Sequence, residues 1–402
     1  MRLLFVADGR SPIALNWIKY FVEEGYEVHL VSTFNCAPDF SVSSLHILPV
    51  GFSELKKPPD SSPSRLSMRG LIFRLLPAGG RTRLRHWLAP FTLSIAAEKL
   101  EVLISQIQPD LVHAMRIPYE GMLAALGLNL VPEQRMILSV WGNDFTLHAP
   151  STPFLSRYTR LALERADGLH ADCQRDARLA EKWGFDPSKP VAVLPGAGGI
   201  QLDLFHPNLA EKQSAQGKTI MVINPRGFRA YVRNDVFFKA IPLIFKKDST
   251  IRFICPATAE ENQAKRWVQE LGIAGSVDLL PRQSRQAMAE LYRKAEIAVS
   301  PSLHDGTPNS LLEAMACGCF PLAGDIESIH EWIQPGVNGL LFDPNDPQSL
   351  ADAVIAAAGQ PDLRQSALKY NTRLIAERAE YHRVMGAADK FYREVLNAPG
   401  QP

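Results

Sequence analysis

The sequence lacks the marks of several large protein classes. No pair of its five cysteines (Cys36, Cys173, Cys255, Cys317, Cys319) has C-x-x-C spacing. That removes a zinc ribbon, argues against a disulfide framework and fits a reduced compartment. No uncharged apolar run approaches the ~18 residues of a membrane-spanning helix. The five apolar residues at 3–7 are too few for a signal-peptide core, so the N-terminus is expected to be a buried first strand. Neither sign of charge dominates: 43 Lys and Arg stand against 42 Asp and Glu. Global charge therefore points to no nucleic-acid partner. There is no G-x-G-x-x-G and no D-x-D, and the Gly-Lys-Thr at 217–219 lacks the leading glycine of a P-loop. The dinucleotide fingerprint, the Walker cradle and the paired-aspartate metal clamp drop out together, and no metal site is expected.

What is present is a rhythm. Short apolar runs at 3–7, 27–32, 111–115, 136–140, 168–172 and 191–195 alternate with helical patterns such as 11–25. A Gly-, Pro- and polar-rich stretch at 195–218 interrupts them. Further runs then follow at 219–225, 251–257, 276–281, 297–302, 319–324 and 339–343, and a helical tail from about 363 to 396. Strand–helix alternation implies parallel sheets covered by helices. The expected fold is α/β, with two Rossmann-like open-sheet domains facing a central cleft. The expected boundaries are 1–198, 199–380, and a C-terminal helical piece at 381–402 that packs back on the first domain. In open sheets, ligands bind beyond the carboxyl ends of the strands.

The segment HDGTPNSLLEAMACG, 304–318, follows one such end. Thr307 is expected to cap a helix with Pro308 at its first position. The free N–H groups near Asn309, Ser310 and Leu311 then form an anion site. Glu313 falls about one and a half turns in, ~9 Å along the axis, where a ribose diol could meet it if phosphate sat on the cap. Asp305, ahead of the cap, would face a hydroxyl-bearing group. Phosphate, ribose and hydroxyls together describe a nucleotide-sugar. The plainer alternative is that Asp305 tightens a turn and Glu313 is a solvated helix residue.

Residues 304–354 resemble the donor segment of the family 4 retaining glycosyltransferases, which have the GT-B fold. That family carries E-x7-E, then AMA(A/C)G, then a G-x-N-G turn. Here Asp305 and Glu313 keep the eight-position separation, and Gly336, Asn338 and Gly339 match the turn. The resemblance implies a nucleotide-diphosphate-sugar donor, expected to be a UDP-sugar, with no cofactor and retention of configuration. A basic pair would neutralise the donor diphosphate. Arg226 matches the first member and Arg233 the second, with Arg229 as a competitor. Fixed cations are what a departing diphosphate requires. Pro281 and Arg282 would lie by the base. In the first half, Gly9 matches a cleft-lining loop, and PDLVHAMR at 109–116 retains His113 but has Met115 in place of a second histidine. His113 is either a substrate contact or a satisfied core histidine. SVWGNDF at 139–145 places Trp141, Asn143 and Asp144 at a strand end, as sugar-binding or catalytic groups or as a turn.

Residues 61–97 carry Arg65, Arg69, Arg74, Arg81, Arg83 and Arg85 among apolar residues, with no acid before Glu98. Such a stretch suits the surface of an anionic membrane, or else forms a solvated basic hairpin. The expected protein is thus a cytoplasmic glycosyltransferase, working in part at the inner face of the membrane. It would pass sugar to a glycan or lipid-linked acceptor in envelope or exopolysaccharide synthesis. The rivals are a GT-B phosphorylase or epimerase, an inactive nucleotide-sugar-binding partner, and a membrane-surface scaffold.

Overall fold

The computed structural model of the chain describes residues 1–50, 78–129, 131–208 and 219–398, and for 78–91 only the course of the backbone. Most of the basic stretch therefore lies outside the described side chains. The chain divides into two compact units, Met1–Gly198 with Met385–Pro402, and Gly199–Val384.

The first unit holds strands β1 (Arg2–Ala7), β2 (Glu27–Ser32), β3 (Ser44–Ile47), β4 (Leu111–Ala114), β5 (Met136–Val140), β6 (Gly168–Ala171) and β7 (Val191–Val193). Between them run helices α1 (Pro12–Glu23), α2 (Ala78–Ile107), α3 (Met122–Leu128), α4 (Pro153–Arg165) and α5 (Gln174–Trp183). All pairings are parallel, in the order β3-β2-β1-β4-β5-β6-β7. β1 is central, with Arg2 in register with Glu27 on one side and Leu3 with Leu111 on the other. Leu3 to Ala7 are each at most 1% exposed, because a central parallel strand is covered on both faces. Each large apolar side chain so buried contributes roughly 1.5–3 kcal/mol. Ser11 caps α1, its side chain accepting from Ala14 N–H.

The second unit holds β8 (Met221–Ile223), β9 (Arg252–Cys255), β10 (Val277–Leu279), β11 (Ile297–Ser300), β12 (Phe320–Gly324) and β13 (Leu340–Phe342). Its helices are α6 (Asn234–Phe245), α7 (Asn262–Glu270), α8 (Arg285–Lys294), α9 (Asn309–Ala316), α10 (Pro347–Ala358) and α11 (Pro361–Arg378). The order is β10-β9-β8-β11-β12-β13, again all parallel. The last helix, α12 (Tyr381–Asn397), starts at the end of the second unit and ends as part of the first.

Two features depart from expectation. β3 is an unanticipated edge strand; its four residues are half-buried or exposed, so it carries little apolar signal. The tail is two helices, because the backbone at 379–381 is spent elsewhere: Ile200 N–H donates to Ala379 O, and Tyr381 N–H to Ile200 O. Each sheet has one place where its winding reverses, between β1 and β4 in the first unit and between β8 and β11 in the second. Connections leave in opposite directions there and open a crevice at the strand ends.

Candidate functional site

In the second unit the reversal lies between the segments that follow β8 and β11. Asn224, just past β8, is buried and accepts the Arg226 N–H at 3.0 Å. Its own amide donates to Asn234 Oδ1, also at 3.0 Å. This side-chain turn aims Arg226 across the reversal. The Arg226 guanidinium donates to Asp305 Oδ2 at 2.6 Å and to Ser310 Oγ at 3.3 Å. Both partners of the ion pair are only about 15% exposed, at 14% and 15%. Asp305 is steadied from behind, where Ser328 Oγ donates to its carbonyl at 2.6 Å. One cation thus gathers the loop after β8, the loop after β11 and the first turn of α9.

α9 begins one residue later than expected. Pro308 occupies the cap position, with no side-chain cap. Thr307 is therefore not the cap; it is buried, and its hydroxyl accepts the Trp332 indole N–H at 3.1 Å. Leu311 does not supply a free amide either, because its N–H donates to Pro308 O at 2.8 Å. Asn309 and Ser310 precede the helical hydrogen-bond ladder, so their amides have no intrahelical partner. Asn309 Oδ1 and the hydroxyls of Ser300 and Ser302 are buried without hydrogen-bond partners among the described residues.

Glu313 is half-buried on α9, and burial pushes its carboxyl up to about 7, with Arg285 opposing the rise. Tyr292 lies beside it, fully buried, its phenol pushed well up by burial and then by Glu313. Arg226 also acts on Tyr292, so Arg226, Tyr292 and Glu313 share one neighbourhood. Arg233 lies at the end of β11, its N–H donating to Pro301 O at 2.7 Å, but its side chain pairs elsewhere. Its guanidinium grips Asp235 at 2.8 and 2.9 Å and also donates to Asn345. Arg229 and Arg282 are exposed.

The residues expected in the first unit are placed differently. Gly9 does make a close approach, but to protein: its N–H donates to Ser32 Oγ at 3.0 Å, and a Cβ there would run into Cys36 Sγ and Ser32 Oγ. His113 is a satisfied core histidine and not a surface contact. It is 1% exposed, with Nδ1 on the Tyr392 hydroxyl and Nε2 on Ser139 Oγ at 2.7 Å. Ser139 continues to His170 Nδ1 at 2.7 Å, and His170 Nε2 to Leu194 O at 3.0 Å. Burial pushes both imidazoles down, His170 to about 4. Asp144 is also fully buried. It accepts from Arg116 Nε at 3.2 Å, Trp141 N–H at 3.1 Å and Ile117 N–H at 3.3 Å. Burial raises its pKa against the pull of Arg116 and those amides. This geometry is a clamp between loops rather than a presented acid. Asn143 starts the turn Asp144–His148 with its carbonyl, not its side chain. Trp141 is half-buried beside Arg116, whose Cζ lies 5.9 Å from the ring centroid.

Among the described residues, one set of side chains could approach a metal ion, namely Asp172, Cys173 and Asp176. Arg175 already meets that charge, donating to Asp176 Oδ1 at 2.9 Å, and burial drives the Cys173 thiol far up. The set does not suit a cation.

Residues 206–374 match the family described as glycosyl transferases group 1, and residues 9–196 match the glycosyl transferase 4-like domain. The chain is related to the group 1, family 4 glycosyltransferases and has their GT-B fold. Among curated proteins it is similar to the D-inositol 3-phosphate glycosyltransferase of Geodermatophilus obscurus, 27% identical over 49% of this chain and 47% of the relative. The Saccharomonospora viridis protein of the same name is 32% identical over 52% of each. The chain therefore spans about half the length of the curated relatives it matches. Among solved structures, sucrose-phosphate synthase from Thermosynechococcus elongatus has a TM-score of 0.74 at 14% identity, covering 99% of this chain and all of that one. Anabaena HepE in complex with UDP-glucose has a TM-score of 0.72 at 14% identity, covering 98% and 99%.

Sequence reasoning missed Asn224, Ser300, Ser302 and Tyr292. Only their places at the ends of β8 and β11 or under α9 could have signalled them.

Proposed function

We propose that the protein is a retaining glycosyltransferase that moves a sugar from a nucleotide-diphosphate-sugar, expected to be a UDP-sugar, to a glycan or lipid-linked acceptor. The observation that carries this is Arg226 held by Asp305 and Ser310 at the winding reversal of the second sheet, with Glu313 further along the same helix. When the glycosyl–phosphate bond breaks, charge develops on the leaving diphosphate. A guanidinium already fixed in place stabilises that charge without reorganising. The Asn309 and Ser310 amides add the partial positive charge of a helix start. Glu313, when ionised, offers two acceptor oxygens to a ribose diol. Asp305 and the buried Asn309 Oδ1 supply acceptors for sugar hydroxyls. Arg233, in an ion pair of its own, is assigned a secondary part in diphosphate binding.

The curated relatives' names specify an inositol phosphate acceptor, which supports transfer to a hydroxyl-bearing small molecule or headgroup. Work at the cytoplasmic face of an anionic membrane, in envelope or exopolysaccharide synthesis, rests on the basic stretch at 61–97. Ile95 and Val102, seven residues apart on α2, are exposed apolar side chains at the near end of it. No helix among the described residues is long and apolar enough to cross a membrane.

The test is thermal stability of the purified chain against UDP, GDP, ADP and TDP and their sugars. A ligand at 100 times its Kd should add ~2.7 kcal/mol. One nucleotide family should shift the transition, and Glu313→Ala should remove most of the shift. Because burial holds Glu313 near 7, affinity for that nucleotide should rise as pH passes upward through about 7 and be flat in Glu313→Gln. Absence of a shift with every nucleotide would sink the transferase assignment.

A further inference from the structure

Two residues of the loop after β11, Asp305 and Thr307, rest on one short piece of chain. Between β12 and β13 lies a 3₁₀ turn, Glu327–Glu331, followed at once by Trp332. It sends two hydrogen bonds to the residues on either side of Gly306. Ser328 Oγ donates to Asp305 O at 2.6 Å, and Trp332 Nε1 donates to Thr307 Oγ1 at 3.1 Å. Ser328, Trp332 and Thr307 are all buried, so solvent does not compete for either bond.

Trp332 is held in turn. Its carbonyl accepts from Asn338 Nδ2 at 2.9 Å, and Asn338 Oδ1 accepts the Gln334 N–H at 2.7 Å. Asn338 also trades hydrogen bonds with Asn371 on α11. Its Nδ2 donates to Asn371 Oδ1 at 2.8 Å, and Asn371 Nδ2 donates to Asn338 O at 2.9 Å. Both asparagines are buried. The Arg378 guanidinium lies 4.5 Å from the Trp332 ring centroid, a cation–π contact, and donates to Glu331 O at 2.7 Å. A line of bonds thus runs from α11 through the asparagines to the indole, and from the indole to the loop. A buried polar network satisfied in this way is rigid.

We infer that Trp332 is a positioning residue of the donor site: its indole N–H, together with Ser328, fixes the Asp305–Thr307 loop so that the Asp305 carboxylate is placed for the sugar of the donor. This rests on the transferase reading above. An indole N–H can only donate, so it holds the Thr307 hydroxyl as an acceptor and gives the loop one orientation. A carboxylate that meets sugar hydroxyls needs such support, because a small misplacement loses the hydrogen bonds. At 5% exposure Trp332 is too buried to touch the ligand and acts through Thr307.

The test uses the full chain, with UDP, GDP, ADP and TDP and the glucose conjugate of each as probes. Trp332→Phe keeps an aromatic ring and loses the N–H. Affinity for the glucose conjugate should fall about fivefold, the weight of one neutral hydrogen bond, and affinity for the free nucleotide less than about twofold. A general loosening of the fold would lower both alike. Hydrogen exchange should quicken at 304–310 and keep its wild-type rate in α10 and α11. Thr307→Val should match Trp332→Phe, and the two together should cost no more than either alone. Thr307→Ser keeps the acceptor and should recover most of what Thr307→Val loses. Should Trp332→Phe fail to fold, Thr307→Val against Thr307→Ser decides. Equal losses for nucleotide and conjugate, or unchanged exchange at 304–310, overturn the inference and leave the donor site standing. A wild-type chain that binds none of the probes sinks the transferase reading, and the inference falls with it.

Discussion

Arg226–Asp305 spans the reversal between β8 and β11, Arg116–Asp144 joins the segments after β4 and β5, and these two arginine–carboxylate pairs are built differently. Arg226 and Asp305 are nearly equally exposed, at 14% and 15%. Arg116 is 32% exposed while its partner Asp144 is wholly buried. In the first pair neither charge is fully committed to the interior, which is what the proposed diphosphate binding asks of Arg226. In the second, the carboxylate also takes two backbone amides and cannot leave without stranding a charge in the core. On the proposed function, the same chemistry serves exchange in one unit and anchoring in the other. Burial of the acid makes the difference.

Removing the buried acid should have the largest effect on folding. Asp144→Ala should destabilise the first unit by roughly 3 kcal/mol, since breaking a buried pair costs about that much; denaturant titration reads it. A loss under 1 kcal/mol would erase the contrast. Arg226→Ala should leave stability nearly unchanged but lower kcat/KM for a nucleotide-sugar about 100-fold, the lower end for losing one fixed transition-state partner. Steady-state release of nucleotide diphosphate measures this, and a loss of activity matched by a loss of stability would make the Arg226–Asp305 pair an anchor too.

The pH dependence separates the units further. His170 is held at about 4 against an ordinary 6.5, so its contribution is present above about 6.5 and lost as pH falls through about 4. Glu120 and Glu313, raised to about 7 from 4.5, contribute below about 4.5 and lose that contribution as pH rises through about 7. The melting temperature should therefore fall on the acid side chiefly through the first unit, and His170→Gln should blunt that fall. The smallest effect is reserved for Arg233→Ala. Its partner Asp235 is half-buried at the surface, and such pairs are worth about 0–1 kcal/mol, so activity should drop less than in Arg226→Ala. An equal drop would make Arg233 an equal partner of Arg226 in diphosphate binding.

Both parallel sheets were legible in the sequence, because buried parallel strands such as 3–7 read as apolar runs recurring between helical patterns. The edge strand Ser44–Ile47 was not, since an edge needs no such run. At the site, Asp305 and Glu313 stood out by their spacing around a helix start, and Arg226 by its place just after a strand in a segment that resembles the family's. Thr307 misled: a threonine before a proline looks like a cap, but the Trp332 indole N–H that its hydroxyl accepts is invisible in one dimension. For His113 and Asp144 the sequence left two readings open, since burial decides between presenting a polar group and satisfying it. Arg116 and Tyr119, both at positive φ, gave no signal at all, because strain appears only in the backbone.

One hydrogen bond also bears on the chain's birth. Trp17 Nε1 donates to the Tyr392 hydroxyl at 2.9 Å across 375 positions of sequence, and that hydroxyl also serves His113. At a synthesis rate of about 5–20 residues per second, helix α1 waits roughly 20–75 s on the ribosome for its last partner. Until then His113 lacks one of its two partners, and the first unit leaves the exit tunnel incomplete. A clipped C-terminus would therefore damage the beginning of the protein before it touched the end.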